Sequence, residues 1–238
     1  MTDIPKQIPY QQSTAGQLHA TVVEYGFAKI TGVFSGDEVT RLSDLINEIM
    51  VDPNIGADLV WRSSGMDGKG VVQRISRINL LSAAVSETFV HSRQLSIIGS
   101  QIFDTSVDRI HIADGRDGSD GIVLVVKDPR NVTDHKNLRW HRDDKFTCHL
   151  AINPFVNVGL YLDSSDASRG ALIVIPRSHG GAFDYGVDET IVEVPEQVCV
   201  PAEPGDVIVH DAHLLHRSGP HYVQGQVRRV IYANLYTR

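Results

Sequence analysis

Apolar positions do not recur regularly at the start of this chain. Residues 1 to about 20 are polar and Gln-rich, which predicts a loosely held leader without function. Val22, Val23 and Tyr25-Gly26-Phe27 begin the apolar pattern. Ser35-Gly36-Asp37-Glu38 then has the spacing of a capping box, and Val39, Leu42, Leu45, Ile46 and Ile49 follow at helical intervals. This predicts a helix over about 36–50 with one buried face. From 52 to 72, Pro53, Gly56, Gly65, Gly68 and Gly70 interrupt a stretch with few apolar positions, which predicts a long, mobile loop folding over a cleft. Helical intervals return between Leu80 and Phe103, through Leu81, Val85, Phe89, Leu95 and Ile98, with Gly99 near the end.

After Phe103 short β-rich runs separated by turn residues follow one another. They cover Arg109 to Ala113, Gly121 to Lys127, Arg139 to Phe146, Phe155 to Leu162, Ala171 to Pro176, Thr190 to Val194, Asp206 to His210 and Val227 to Tyr236. Helices followed by about eight strands, without alternation of strand and helix, predict an antiparallel sandwich or jelly roll with helices packed outside it. No internal repeat or low-complexity segment divides the chain, so 1–238 reads as one domain: leader 1–20, helical support 21–106 and β core 107–238.

Composition narrows the function classes. The chain has 238 residues, 42% of them hydrophobic, enough to bury a core as a single domain. Its formal charge of −7, with no Lys/Arg block, argues against nucleic acid as a partner. A small molecule is the better expectation, and no residue pattern sets an oligomeric state. Cys148 and Cys199 are far apart, which argues against a disulfide scaffold, a zinc ribbon or a redox dithiol. The absence of an apolar run of about 20 residues predicts no membrane span, and a reducing, cytoplasmic location is the expectation.

The most informative tract is Leu138-Arg139-Trp140-His141-Arg142-Asp143-Asp144. On a strand, residues i and i+2 share a face, which would set His141 beside Asp143 and turn Arg142 the other way. An imidazole and a carboxylate are two thirds of a facial triad that holds Fe(II) with three adjacent positions open. Taken alone, His-x-Asp arises by chance in many chains, and a surface strand with a solvated ion pair accounts for it better. A third ligand would come from the later run Pro204-Gly205-Asp206 to His216-Arg217-Ser218-Gly219-Pro220, where His210, His213 and His216 compete. Strand parity puts His210 and His216 on one face, unless Asp211 marks a bend. Each histidine could equally be an ordinary hydrogen-bonded one, and a zinc cluster built from His-x-x-His-x-x-His lacks the usual Cys partners.

Four ordered segments resemble the phytanoyl-CoA dioxygenase-like group of Fe(II)- and 2-oxoglutarate-dependent oxygenases. Trp140-His141-Arg142-Asp143 is similar to its Trp-His-x-Asp motif, and Gly170 to His179 is similar to its Gly-x-Leu-x-Val-x-Pro-Gly-Ser-His element, with Arg177 in place of Gly. Gly205-Asp206, Leu214 to Pro220 and Arg228-Arg229 resemble its Gly-Asp, Leu-x-His-x-Ser-Gly and arginine segments. Tyr25-Gly26-Phe27 with the Ser35 helix, and Val126-Lys127-Asp128-Pro129, resemble its opening and a lysine-bearing strand.

The resemblance implies a mainly β fold with flanking α-helices, a double-stranded β-helix (jelly-roll, cupin-like). It implies His141, Asp143 and His216 as metal ligands and catalytic centre, with Fe(II), 2-oxoglutarate as co-substrate and O2. Arg228 matches the arginine that grips the distal carboxylate of 2-oxoglutarate; Arg229 is its alternative, because the segment after His216 is one residue longer than the common pattern. Ser218 and Lys127 match further co-substrate contacts. The implied reaction is hydroxylation of an unactivated C–H bond of a small organic molecule, with release of succinate and CO2. Desaturation, cyclisation or epimerisation are alternatives within the same chemistry. Halogenating relatives carry a small residue where Asp143 stands, so halogenation is not expected. A zinc hydrolase and a non-catalytic ligand-binding β-sandwich are the competing readings. Trp140 is expected to pack away from the metal, Asn157 to face either the cavity or solvent, and Arg142, Arg177 and Arg217 to be solvated or ion-paired. Cys148 and His149 are expected to be a small buried thiol and a surface imidazole.

Overall fold

The computed structural model describes residues 5–116, 118–133, 137–143, 155–180 and 193–238. Thirteen strands are formed among these residues: β1 (Ile8–Pro9), β2 (Phe27–Thr31), β3 (Val60–Ser64), β4 (Gly70–Ile75), β5 (Ile110–Ile112), β6 (Val123–Lys127), β7 (Leu138–His141), β8 (Phe155–Tyr161), β9 (Leu172–Val174), β10 (Val198–Val200), β11 (Val207–Asp211), β12 (His216–Ser218) and β13 (Arg228–Thr237). They make a nine-stranded major sheet, ordered β1-β2-β11-β8-β13-β6-β4-β3 with β5 on β13, and a four-stranded minor sheet, ordered β10-β9-β12-β7. All pairings are antiparallel except β1 with β2. The two sheets face each other as the jelly roll expected from the sequence.

Strand alternation divides the core in two. Phe27, Tyr161, Leu172, Val174, Val198, Val200, Ile208 and Val230 fill the space between the sheets. The opposite parity, including Val158, Leu160, Val207, Val209, Ile231 and Ala233, packs against the helices. Those helices are α1 (Ala15–Tyr25), α2 (Gly36–Val51), α3 (Ile78–Leu81), α4 (Ala83–Phe89) and α5 (Arg93–Ile102). In α2 the expected capping box is present: Ser35 Oγ accepts from Glu38 N, and Glu38 accepts from Ser35 N. No helix among the described residues is long and apolar enough to cross a membrane.

Four expectations need correction. The leader 1–20 is ordered from Ile8, and α1 begins at Ala15 with Thr14 as its cap; Leu18 and Val22, four apart, are both buried by it. Their spacing was masked by the polar residues around them. Residues 52–72 are not one long loop, because β3 and β4 form a hairpin that extends the major sheet. Val71, Val72 and Ile75 supply its buried positions. The helical pattern from 80 to 103 is broken into three pieces by caps at Ser82 and Ser92, whose hydroxyls accept from Val85 N and Leu95 N. Finally, the run from Asp206 to His216 is two strands in different sheets, because the chain turns at Ala212–Leu215 after Asp211.

The strand expected over 139–146 ends at His141, and its residues from 144 onward, with Cys148 and His149, lie outside the described residues. The expected strand at 190–194 lies partly outside them as well, and Glu193 and Val194 are not strand.

Candidate active site

His141 ends β7 and His216 begins β12, and the two are paired residues of the antiparallel ladder. Their rings approach to 4.1 Å between centroids. Asp143 is not on the strand as the i, i+2 argument requires. It sits in the turn after β7, where its backbone N–H donates to Ala212 O, in the turn after β11, at 2.8 Å, and Asn157 Nδ2, on the major sheet, donates to its Oδ2. The carboxylate still faces both rings, with Oδ1 3.6 Å from His141 Nε2 and Oδ2 3.7 Å from His216 Nε2. One ligand atom from each of the three residues lies within 4.8 Å of the others, the one such metal-capable group among the described residues.

Backbone hydrogen bonds set the tautomers. Nδ1 of His141 lies 2.7 Å from Arg139 O and Nδ1 of His216 lies 2.9 Å from Leu214 O. A carbonyl can only accept, so each Nδ1 carries the proton and each Nε2 presents its lone pair to the centre. Burial lowers the pKa of both rings to about 4, which keeps them neutral, as metal ligation requires. Burial raises the Asp143 carboxyl, but the facing histidines and the Asn157 amide outweigh it and hold it below the ordinary value.

The three competing histidines separate clearly. His210, on β11, shares the inward parity of Ile208; it is buried, with its ring 4.3 Å from that of His216 and Nδ1 3.9 Å from Asp143 Oδ2. His213 lies in the turn, 41% exposed, with its side chain on Asp211. The zinc cluster of His210, His213 and His216 is therefore not formed.

A second group of polar residues occupies the interior near the metal-capable group. Lys127 on β6 and Arg228 on β13 are paired across the sheet, and both are buried. Burial, reinforced by the adjacent Arg228, pushes the Lys127 pKa well down. Arg228 Nη2 donates to Gly170 O at 2.5 Å, while its Nε and Nη1 are buried and find no protein acceptor. Gly170, at φ +66°, leaves the room: a Cβ there would stand 3.0 Å from Gly219 O, 3.3 Å from Lys127 Cγ and 3.5 Å from Arg228 Nη2. Ser218, buried on β12, adjoins Gly219. A buried guanidinium with unpaired donors is costly unless an anion joins it, so the cluster is suited to a carboxylate. Tyr161, fully buried, and Tyr232, partly buried, lie beside Arg228 and were missed in the sequence; inward parity with Val230 was their only signal.

The remaining motif residues build the scaffold. Trp140 packs on Ile175, Val194 and Leu215, with the Arg217 guanidinium over its ring at 5.2 Å. Arg142 donates to His213 O and Ser178 O, Arg177 pairs with Glu24, and Arg217 donates to Gln197. Asp206 accepts from Gly32 N and Glu203 N and pairs with Lys29, which fastens β2 to the start of β11.

Comparisons with known proteins bear on the family and the fold. A curated relative, the probable alpha-ketoglutarate-dependent hypophosphite dioxygenase of Stutzerimonas stutzeri, is 20% identical over 219 residues, 84% of this chain and 71% of its own. The crystal structure of AviO1 from Streptomyces viridochromogenes Tue57 is similar at a TM-score of 0.72 and 24% identity, covering 93% of this chain and 94% of that one. SnoN, a non-heme alpha ketoglutarate dependent epimerase from nogalamycin biosynthesis, has a TM-score of 0.68 and 16% identity over 94% of this chain and 83% of its own. The phytanoyl-CoA dioxygenase (PhyH) family model matches residues 22–230, and the chain belongs to that family.

Proposed function

We propose that this protein is an Fe(II)- and 2-oxoglutarate-dependent dioxygenase that hydroxylates an unactivated C–H bond of a small organic molecule. The observation that carries the reading is the convergence of His141 and His216, paired on the minor sheet, with Asp143 from the turn after β7, and Arg228 buried nearby with its Nε and Nη1 unpaired. Two neutral imidazoles and one carboxylate suit a ferrous ion and, as three protein ligands, leave positions for small molecules. The chemistry supplied by the iron when bound is the coupled oxidation of 2-oxoglutarate to succinate and CO2 and of a substrate C–H bond by O2.

The protein's own residues bind and orient. Arg228 would hold the distal carboxylate of 2-oxoglutarate, its planar guanidinium offering two N–H groups at once, with Lys127 and Ser218 as neighbouring donors. The choice of Arg228 over Arg229 is supported by the partners of Arg229, since Asp163 accepts from its Nε and Nη2 at 2.8 and 2.7 Å.

Removal of hydrogen from substrate is a step common to hydroxylation, desaturation, cyclisation and epimerisation, and product analysis separates them. The test is anaerobic reconstitution with Fe(II), followed by O2 and 2-oxoglutarate with candidate small molecules. Succinate should form in proportion to a product heavier by one oxygen. No succinate with any candidate, despite stoichiometric iron, would count against the reading.

A further inference from the structure

Asp143 lies beyond the last residue of β7, so its strand does not fix it. Its carboxylate is hydrogen-bonded from the other sheet. Asn157 on β8 stands between His210 on β11 and Asn234 on β13 as paired residues, a polar row with the inward parity of Tyr161 and Ile208. Within that row the Asn157 amide is the group hydrogen-bonded to Asp143 Oδ2. His210 closes the same side, its Nδ1 3.9 Å from Oδ2. The two oxygens face one histidine ring each, Oδ1 lying 3.6 Å from His141 Nε2 and Oδ2 3.7 Å from His216 Nε2.

We infer that Asn157 is a positioning residue for the metal centre. By donating an N–H to Oδ2, it fixes the rotation of a carboxylate that turns one oxygen toward each histidine ring, and so holds that carboxylate ready for the metal. A carboxylate free to rotate would have to be ordered each time the metal binds. The amide also replaces the water that an ionised carboxylate would otherwise keep, as outer hydrogen bonds to ligands commonly do. This inference rests on the proposed His141/Asp143/His216 site.

The test uses Co(II) as a spectroscopic probe on the full-length, metal-free protein. Binding is followed by the visible ligand-field bands, with thermal unfolding as a check on folding. Asn157→Ala and the near-isosteric Asn157→Leu should weaken Co(II) binding about 10- to 100-fold and change the band pattern, a readout that a merely structural role would not move. Asn234→Ala, in the same row, should leave both unchanged. If Asn157→Ala does not fold, Asn157→Leu decides. Wild-type affinity and bands in a folded Asn157→Leu protein would overturn the positioning role alone, whereas failure of the wild-type protein to bind Co(II) would overturn the metal site as well.

Discussion

Arg228 and Arg229 are neighbours on β13 whose side chains leave the major sheet on opposite faces. Arg228 follows the parity of Val230 into the space between the sheets, where it adjoins Lys127. Arg229 follows Ile231 toward α2, where Asp163, Asn47 and Ser43 take its guanidinium. One residue of chain thus separates a buried guanidinium with unpaired donors from a scaffold ion pair.

Arg228→Ala should raise the KM for 2-oxoglutarate by about 100-fold, the value of charge-assisted bonds worth roughly 3 kcal/mol. The thermal midpoint of the free protein should not fall, since Lys127 loses a like-charged neighbour. Arg229→Ala should do the reverse, costing roughly 3 kcal/mol of stability by leaving Asp163 without its partner, with KM little changed. Steady-state kinetics and denaturant unfolding of the two variants check this, and the opposite assignment would make Arg229 the co-substrate arginine.

Acid should loosen the metal-free fold in a defined window. Burial holds His141 and His216 at about 4, against about 6.5 in an unfolded chain. Between those values the unfolded chain binds more protons than the folded one, so stability rises with pH across the window. It is full above about pH 6.5 and falls as pH drops toward 4, by roughly 3 kcal/mol per histidine at the limit. Unfolding midpoints measured from pH 7.5 to 4.5 should show this slope, and His141→Gln/His216→Gln should flatten it. An equally steep slope in the double variant would assign the effect elsewhere.

His216→Ala should abolish metal binding, whereas His213→Ala should leave metal affinity and turnover within about twofold. The difference follows from position alone: His216 faces Asp143 from a buried strand, and His213 points from the turn to Asp211. Metal titration of the two variants distinguishes this centre from a cluster of the three clustered histidines, which would lose metal in both.

Most of the β architecture was legible because its strands alternate or run apolar between turn residues, and the α2 helix because its cap and apolar face coincide. The β3–β4 hairpin was hidden by glycines that read as loop, and α1 by a polar surface with two buried positions. The site was legible only through ordered motifs. Parity named His141 with Asp143 for a reason the structure replaces, since Asp143 is hydrogen-bonded by Ala212 in the turn after β11 and by Asn157 on the opposite sheet. Contacts between sheets leave no periodic trace in one strand, and for that reason Asn157, His210 and Tyr232 could not be assigned from their own segments.

Arg177 offers a test of why the family pattern has Gly at this point. Its φ is +70°, in the left-handed region, where a side chain is strained and glycine is not. The arginine offsets that strain with contacts glycine lacks: Nη2 pairs with Glu24 at 2.8 Å and the guanidinium lies 4.4 Å above the Tyr25 ring. Both contacts are near the surface and modest in value. Its backbone N–H donates to Tyr25 O in any case. Arg177→Ala therefore loses the contacts and keeps the strain, whereas Arg177→Gly loses the same contacts and relieves it. The glycine variant should melt about 3 °C above the alanine variant and close to wild type. Equal midpoints for the two variants would mean that the left-handed backbone carries no strain here, and that the side-chain contacts alone distinguish arginine.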